Sequence, residues 1–388
     1  MALECRLHSK KHVKLCIRVE KERKDSIMKK SRIVMALALM ILTLAACSDN
    51  ETLSEKENLT LSIALTPTKD VEEILIASDP LKDILKSELA EKGFTVENID
   101  IAVGVDQNVP AEALISGSMD ISVLPASVFA QYRKDGINLL VETLSHGVGD
   151  SKGKVIEPED GIAPWNSGIT TDANDMVGGN VSLIYVNIAS EKGAELYEKA
   201  TNNNLTWDDV NSARWYVSSF DSYDGYIYPS LWINDNFGEG IGSTRKTVAG
   251  LKDVVPDSSY DDMISFLFEG KADVITGYAD LRKDASAIEQ FEKVYADKIA
   301  DGTHNNIWDV IKVIGVTDKI MNDAVCIADR KINPKMKPEF VAALQDVFIE
   351  LDQSEEGLEC FDPFDYKGFK LGYNSDYDST LAAESLFQ

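Results

Sequence analysis

Residues 59–104 read "LTLSIALTPTKDVEEILIASDPLKDILKSELAEKGFTVENIDIAVG" and set the pattern of the fold. The first seven residues alternate between apolar and polar side chains, which predicts a strand. Leu81, Leu85 and Leu89 then fall at helical spacing, and Gly93 suits the end of that helix. A second strand is predicted in "TVENIDIAVG". A strand, a helix and a further strand in this order predict a parallel pair joined by a crossover helix.

The rest of the chain keeps this alternation, with one break. Apolar patterns predict strands in "MDISVLP", "VSLIYVNIAS", "ARWYVSS" and "ADVITGYA", and helices in "PAEALISG", "EKGAELYEKA", "YDDMISFLFEGK" and "KPEFVAALQDVFIEL". Residues 146–180 are rich in Gly, Asp, Asn and Pro and predict a long surface excursion. We therefore expect an α/β fold with mostly parallel sheets flanked by helices. Ligands of such sheets bind in loops at the carboxyl ends of the strands.

Residues 31–46 form a short apolar run behind Lys29 and Lys30. A basic start, a short apolar core and small residues are typical of a secretory signal, and the core is too short for a comfortable membrane span. The run ends in Leu-Ala-Ala before Cys47, which resembles the lipobox of bacterial lipoproteins. In those proteins the cysteine is acylated and becomes the new N-terminus. A buried N-terminal helix would leave the position of the cysteine unexplained.

This pattern divides the N-terminal part of the chain. We expect translation to start at Met28, so that residues 1–27 are not part of the protein, and we expect residues 28–46 to be the signal peptide. The polar residues 47–58 are predicted to be a flexible tether. With a lipid on Cys47, the protein would be exported and anchored to the extracytoplasmic face of the cell membrane.

The chain is strongly acidic. It has 65 Asp and Glu against 39 Lys and Arg, a net charge of −26. Residues 1–46 contain eleven of the basic and four of the acidic residues, so 28 and 61 remain from Cys47 onward, a net charge of −33. Nucleic-acid binding is not expected, because contacts with phosphates need a basic face. Such a charge resists self-association, and we expect a monomer.

The cysteines and histidines beyond the signal are few. Cys326 and Cys360 could form a disulfide in an exported protein or be two buried free thiols, and the sequence leaves both alternatives open. His146 and His304 lie far apart in the sequence, so a zinc site is not expected.

Six segments of the chain resemble, in order, those of the substrate-binding proteins of phosphonate, phosphite and phosphate ABC transporters. They read "LTPTKD", "ALISGSMDISVLPAS", "SSFDSYDGYIYP", "FLFEGKADVITGYADL", "IGVTDKIMNDAVCIADRKINPKMKPEF" and "GYNSDYDS". The resemblance runs from about Leu61 to Tyr377. Each segment alone is weakly specific, but six in the right order argue against chance.

The resemblance implies an α/β periplasmic-binding-protein type II fold, in which two lobes are joined by a hinge and the ligand lies in the cleft between them. We place the first lobe at residues 59–183 and 318–388 and the second at residues 184–317. The resemblance also implies that the lobes close over a small molecule and that an ABC permease in the membrane recognises the closed form. It implies no catalysis, no cofactor and no metal.

The family's phosphonate binders hold the ligand oxyanion in a Ser-Thr-Ser-Gly turn at the start of a helix, through hydroxyls and backbone N–H groups. In this chain the turn reads Ser222-Tyr223-Asp224-Gly225, in which the first and last residues match. The family pattern therefore predicts the ligand at this turn, and Tyr223 and Asp224 are departures from it.

Other family positions match in part. Gln107 stands where the family often has a tyrosine, and Tyr260 where it often has a histidine. Asp280 falls where aminophosphonate binders place a carboxylate near the ligand amine, and Asp323 falls on the family's Asn-Asp-Pro pattern, with Ala324 in place of the proline. The predicted ligand-binding residues are Thr66, Thr68, Gln107, Ser127, Ser222, Tyr223, Asp224, Gly225, Tyr260, Asp280 and Asp323.

Asp221 and Asp224 beside this turn allow two interpretations. An acid in the first turn of a helix stabilises it by ~0.3–1 kcal/mol, and Asp221 could be an N-cap. If Asp224 instead faces the cleft, it repels a like charge at 4 Å by about 4 kcal/mol. The ligand would then carry an amine, be neutral or donate a proton to Asp224. Tyr223 and Tyr260 could stack on a ring or cage a cation.

Two further functions remain open. The same two-lobe protein could present its ligand to a membrane kinase or chemoreceptor instead of a permease. Asp280 and Asp323 could also serve as acid and base in an exported enzyme. The sequence shows no nucleophile–base pair, nucleophile elbow or metal cluster that would favour the enzyme.

Overall fold

The computed structural model describes residues 59–238 and 246–387, which belong to one compact unit spanning Asn58–Gln388. The predicted start at Met28, the signal peptide, the acylated Cys47 and the tether lie outside the described residues. None of the described helices combines the length and the apolarity that a membrane span requires.

The strands vary from two to eight residues in length. In chain order they are β1 Leu59–Leu65, β2 Val96–Val103, β3 Ile121–Leu124, β4 Ile137–Leu144, β5 Val148–Gly149, β6 Thr171–Asp172, β7 Gly179–Asn180, β8 Ser182–Asn187, β9 Trp215–Tyr216, β10 Val254–Val255, β11 Val274–Tyr278, β12 Ile311–Val316, β13 Ile320–Met321, β14 Ala324–Ala328 and β15 Gly368–Lys370.

The α-helices connect and cover these strands. In chain order they are α1 Val71–Ser78, α2 Leu81–Glu91, α3 Val109–Ile115, α4 Ala126–Tyr132, α5 Ile162–Asn166, α6 Glu191–Thr201, α7 Trp207–Asn211, α8 Tyr228–Phe237, α9 Tyr260–Phe268, α10 Ala285–Val294, α11 Ala296–Ala300, α12 Pro338–Glu350, α13 Glu355–Glu359 and α14 Asp378–Ser385.

The opening stretch forms the predicted strand, helix and strand as β1, α2 and β2, and the structure adds a second helix between them. In α1, the Asp70 side chain accepts hydrogen bonds from the backbone N–H groups of Glu72 and Glu73 at 3.0 and 3.4 Å. The two helices are separate because Pro80, at the start of α2, has no N–H to continue the hydrogen-bond ladder of α1.

The first sheet has six strands among the described residues, in the order β15-β4-β14-β3-β1-β2. β1 runs parallel to both β2 and β3, whereas β14 is antiparallel to β3 and β4, and β15 is antiparallel to β4. β1 to β4 therefore share one direction, and the two strands from the C-terminal part of the chain run against them.

The second sheet has five strands among the described residues, in the order β10-β9-β11-β8-β12. β9 is parallel to β10 and β11, and β8 is antiparallel to β11 and β12. Four strands thus share a direction. Of the nine strand pairings in the two sheets of the described residues, four are parallel and five antiparallel, so the predicted α/β class is confirmed and the sheets are mixed.

The chain leaves the first sheet after β4, builds the second sheet and returns in β14. β7 on the outward path pairs antiparallel with β13 on the return path, with Ile320 opposite Asn180 and Met321 opposite Gly179. We call these two strands the crossing ribbon. Asn322, directly after β13, donates through its side-chain amide to the carbonyls of Thr143 at 3.1 Å and Val177 at 2.9 Å, which ties the ribbon to the end of β4.

Each sheet buries both faces. Along β8, Leu183 and Tyr185 belong to one apolar cluster and Ile184 and Val186 to another, as the alternation of side chains along a strand requires. Ile156 and Trp165, from the predicted excursion, also lie in the core of the second sheet. The domain limits stay a prediction, and these contacts favour assigning the excursion to the second lobe.

The two remaining cysteines are free and buried. Cys326 lies in the cluster on one face of the first sheet, and Cys360 lies in the cluster on the other face. Of the two alternatives, the structure therefore has two separate thiols.

Glu142 of β4 is buried beside the crossing ribbon, with 2% of its surface exposed. Its Oε2 lies 3.0 Å from Nζ of Lys370. A Cβ on Gly178, next to β7, would lie 2.4 Å from the same oxygen. Burial raises the pKa of Glu142 from its usual 4.5 to about 7; Lys370 lowers it in part, and Asp376 raises it.

This shift predicts a pH-dependent stability. The folded protein holds the Glu142 proton more tightly than the unfolded chain, so the contribution is fully present below pH 4.5 and is lost as the pH rises through about 7. We expect wild type to lose on the order of 1–3 kcal/mol relative to Glu142→Gln over this range. Denaturant unfolding of both proteins between pH 4.5 and 8 measures the difference. A pH-independent difference would contradict the prediction.

Candidate functional site

The residues Ser222–Gly225, which we call the serine turn, open a helix at the edge of the second sheet. After β9 the chain reaches a single π-helical turn, Tyr223–Ile227, that leads into α8. The Ser222 carbonyl accepts hydrogen bonds from the N–H groups of Tyr226 at 3.1 Å and Ile227 at 3.0 Å. Such π turns are rare and often occur at functional sites.

Side chains from two strands hold the serine turn in place. Ser182 of β8 donates its hydroxyl proton to the carbonyl of Asp224, and the buried Thr276 of β11 donates to the carbonyl of Gly225 at 2.6 Å. The hydroxyl of Ser222 accepts from the N–H of Gly225 at 3.0 Å. The position of the turn is thus set by the second sheet.

Position 225 requires a glycine because the backbone lies close to Ser218. A Cβ at this position would lie 2.3 Å from the Cβ of Ser218 and 3.0 Å from Oγ of Ser222. Any side chain here would push the turn away from the strand end that carries Ser218.

The serine turn presents several hydrogen-bond donors and one acceptor. The backbone N–H groups of Tyr223 and Asp224 have no acceptor among the described residues. The Ser222 hydroxyl lies 3.3 Å from the phenol oxygen of Tyr260. The Asp224 carboxylate has no donor in the described part of the chain, and burial raises its pKa. Burial also raises the pKa of Tyr260, and the charge of Asp224 raises it further.

The side chain of Tyr223 connects the serine turn to the helices α4 and α14. Its phenol donates to the carboxylate of Glu384 in α14. Burial and this carboxylate raise the pKa of Tyr223, while a hydrogen bond with Ser127 of α4 lowers it. The structure therefore brings together six predicted site residues: Ser127, Ser222, Tyr223, Asp224, Gly225 and Tyr260.

Asp280 lies in a buried ion pair with Arg282. The Arg282 guanidinium donates to both carboxylate oxygens, at 2.8 and 2.6 Å. The Thr170 hydroxyl at 2.9 Å and the Trp308 indole N–H at 3.2 Å also donate to Asp280. Burial raises the pKa of Asp280, but Arg282 lowers it more. These contacts satisfy both oxygens and favour a structural role for Asp280.

Asp323 stands at the start of β14 in the first sheet. It accepts a hydrogen bond from the Tyr366 phenol at 2.6 Å, and burial raises its pKa. Nothing in the described contacts connects it to the serine turn.

The remaining predicted residues follow the first two strands. Thr66, after β1, is buried and donates to the carbonyl of Val123 at 2.6 Å. Thr68 and Gln107 are exposed, after β1 and β2 respectively. Because these strands are parallel, the loops that carry the three residues lie at the same edge of the sheet. Within residues 59–238 and 246–387, none of the three hydrogen-bonds to the serine turn.

Three supporting residues escaped the sequence analysis. Ser182 and Thr276 are small hydroxyl residues within apolar strands, and no local pattern distinguishes them from core positions. Glu384 lies 161 residues from Tyr223 in the sequence, so only the fold could bring the two together. No group of three or more Asp, Glu, His or Cys side chains among the described residues could hold a metal ion.

A family model described as "ABC transporter, phosphonate, periplasmic substrate-binding protein" matches residues 63–377. No curated protein sequence matches the chain. Among solved structures, Mh-p37 of Mycoplasma hyorhinis is 12% identical, with 83% of this chain and 98% of that chain covered and a TM-score of 0.51. This likeness shows the fold alone. The predicted fold class, the type II periplasmic-binding fold, is confirmed.

Two other solved structures are similar at lower TM-scores. XAC2383 of Xanthomonas citri, bound to ATP, is 12% identical over 84% of this chain and 97% of that chain, with a TM-score of 0.45. PhnD1 of Prochlorococcus marinus, in complex with methylphosphonate, is 12% identical over 84% of this chain and 98% of that chain, with a TM-score of 0.37.

The buried ion pair predicts a large cost for Asp280→Asn. The change leaves the Arg282 charge buried without a counter-ion, and we expect the free energy of unfolding to fall by about 3–5 kcal/mol. Asp273 provides a matched control, since it pairs with the more exposed Arg214 at 3.0 Å, and Asp273→Asn should cost less than about 1 kcal/mol. Denaturant unfolding measures both. An Asp280→Asn protein as stable as wild type would refute the structural role.

The close approach at Gly225 predicts that Gly225→Ala distorts the serine turn. We expect a loss of stability of about 1–3 kcal/mol from overpacking. Gly250 is the control, because a Cβ there meets no atom within 4 Å, and Gly250→Ala should leave stability nearly unchanged. Thermal unfolding compares the two variants, and equal melting temperatures would show that the turn has room for a side chain.

Proposed function

The chain belongs to the family of periplasmic phosphonate substrate-binding proteins of ABC transporters, and from this membership we propose that the serine turn binds a small solute that is not a simple dianion. Proteins of this family bind small molecules and work with an ABC permease. We further propose that this protein is a monomer, exported and anchored to the membrane by a lipid on Cys47.

The observation that carries the proposal is the set of unpaired donors at the serine turn. The N–H groups of Tyr223 and Asp224 stand at the start of a helix without an acceptor among the described residues, and such groups favour ligand oxygens. The hydroxyls of Ser222 and Tyr260, 3.3 Å apart, extend the same set. Together these donors favour an oxygen-rich group on the solute.

The charge beside the donors limits which solute can bind. The Asp224 carboxylate has no cationic partner among the described residues, and a dianion at 4 Å would meet a repulsion of about 4 kcal/mol per charge pair. A solute with a protonated amine at the same distance from the Asp224 carboxylate would instead gain an attraction of about equal size. A neutral solute avoids the cost, and a protonated one can donate a hydrogen bond to Asp224.

The other predicted residues take different places in this proposal. Thr68, Gln107 and Asp323 belong to loops and strand ends of the first lobe, from which they would face the solute when the lobes close. The buried Thr66 would hold its loop in place through the Val123 carbonyl. Asp280 would hold the wall of the second lobe through Arg282 rather than touch the solute. The crossing ribbon would serve as the hinge, because both connections between the sheets pass through it.

A thermal-shift panel tests the proposal. Phosphate, phosphite and methylphosphonate represent dianions, 2-aminoethylphosphonate represents amine-bearing oxyanions, and a neutral polyol represents uncharged solutes. We expect amine-bearing or neutral solutes to raise the melting temperature of wild type more than dianions do, since a ligand that binds only the folded state stabilises it by mass action. A panel without any shift would count against a solute of these classes.

Substitutions at the turn sharpen the test. Asp224→Asn should improve the affinity for the dianions by up to about a thousandfold, whereas Ser222→Ala should weaken every solute that binds. Asp297→Asn, an exposed acid on α11, controls for the loss of one negative charge. If Asp224→Asn and Asp297→Asn bind the dianions equally, Asp224 does not select the solute.

A further inference from the structure

The last helix, α14, belongs to the first lobe and packs there against α4 and the residues that follow α4. Arg133 forms an ion pair with Asp378 at the start of α14 and donates to the carbonyl of Asn374. Near the other end of the helix, the Gln131 side-chain amide donates to Oε2 of Glu384 at 3.3 Å. Both ends of α14 are therefore tied to the first lobe.

The same helix contacts the second lobe along its other side. The phenol of Tyr228 lies 3.1 Å from the hydroxyl of Thr380, and both groups are buried. Ala383 belongs to an apolar cluster with Tyr228 and Leu231 of α8. The helix thus lies between α4 of one lobe and α8 of the other.

Glu384 makes a contact with each lobe through one carboxylate. Its Oε2 accepts from Gln131 of the first lobe, and its Oε1 accepts from the phenol of Tyr223 in the second lobe. Tyr223 belongs to the serine turn, and its ring packs against Tyr228 with the centroids 6.2 Å apart. The ring of Tyr223 is thus part of the contact with α14, while its backbone N–H has no acceptor within residues 59–238 and 246–387.

We propose that Glu384 is a positioning residue of the solute site: by holding the Tyr223 phenol it fixes the serine turn against α4 and α14. The ligand role of the turn rests on the proposed function above. Tyr223 then serves the site through its backbone N–H, and its aromatic ring serves the contact between the lobes rather than a cage for a cation.

The size of the effect follows from the chemistry of the contact. A hydrogen bond to a charged acceptor shifts an equilibrium by about tenfold or more. Loss of the Tyr223–Glu384 bond should therefore raise the population in which the serine turn opens by about tenfold. Alanine has the highest helix propensity, so Glu384→Ala removes the carboxylate without weakening α14 itself.

Hydrogen–deuterium exchange of the full chain without ligand tests the proposal. The probes are the amides of Tyr226 and Ile227, which donate to the carbonyl of Ser222. We expect about tenfold faster exchange at these amides in Glu384→Ala and in Tyr223→Phe. The double variant should exchange no faster than Glu384→Ala, because both changes remove the Tyr223–Glu384 bond. Glu384→Gln should restore slow exchange, since its amide oxygen accepts the same phenol. Glu198→Ala, an exposed acid on α6, is the control.

The outcomes separate a positioning role from general stability. Unchanged exchange at the turn in Glu384→Ala overturns the proposal, and so does a Gln variant that behaves like the Ala variant. Faster exchange throughout α14 with a lower melting temperature would assign Glu384 to the stability of the helix and would also overturn it. The exchange measurement uses no ligand, so a negative result there does not contradict the proposal that the turn binds a solute. A ligand panel without any shift, in turn, does not contradict the positioning role of Glu384.

Discussion

Two hydroxyl groups on neighbouring strands fix the position of the serine turn, the candidate site of this molecule. Ser182 of β8 and Thr276 of β11 donate to consecutive carbonyls of the serine turn, those of Asp224 and Gly225. With these carbonyls bound to the sheet, the N–H groups of Ser222 and Gly225 donate to the Ser219 carbonyl and the Ser222 hydroxyl, and those of Tyr223 and Asp224 have no acceptor among the described residues. The arrangement requires a glycine at 225, because only a residue without Cβ can come this close to Ser218. These two hydrogen bonds set the positions of the N–H donors of Tyr223 and Asp224, of the Asp224 carboxylate and of the Tyr223 side chain.

The way the chain crosses between the sheets is compatible with the proposed closure of the site. The chain passes from the first sheet to the second and back through two strands that pair with each other over two residues each. A short ribbon of this kind constrains the lobes less than a shared sheet would. α14 compensates for this freedom, because it contacts α4 through Gln131 and α8 through Tyr228 and Ala383. In the proposed closure, the crossing ribbon would be the hinge and α14 would contact both lobes.

The sequence predicted the parts of this molecule that local chemistry determines. The alternation in residues 59–65 and the leucine spacing after Pro80 correspond to β1 and α2, and the order of six short segments identified the fold. The serine turn was predicted because a serine, a glycine and a helix start are adjacent in sequence. Long-range partners could not be predicted in this way. The Arg282 guanidinium satisfies Asp280, and Glu384 meets Tyr223 across 161 residues. The leucine pattern predicts the helix α2 that follows Pro80. The helix α1, which precedes Pro80, was not predicted.

The placement of the two thiols has a consequence for the redox behaviour of the molecule. Cys326 and Cys360 are buried on opposite faces of one sheet, so the sheet itself prevents a covalent link between them in the native state. Maturation therefore needs no oxidase or disulfide isomerase for this pair, and an oxidising environment does not link these two thiols in the folded protein. The part of the first sheet that holds Cys326 and Cys360 is therefore stabilised by packing and hydrogen bonds, without a covalent bridge between these two residues.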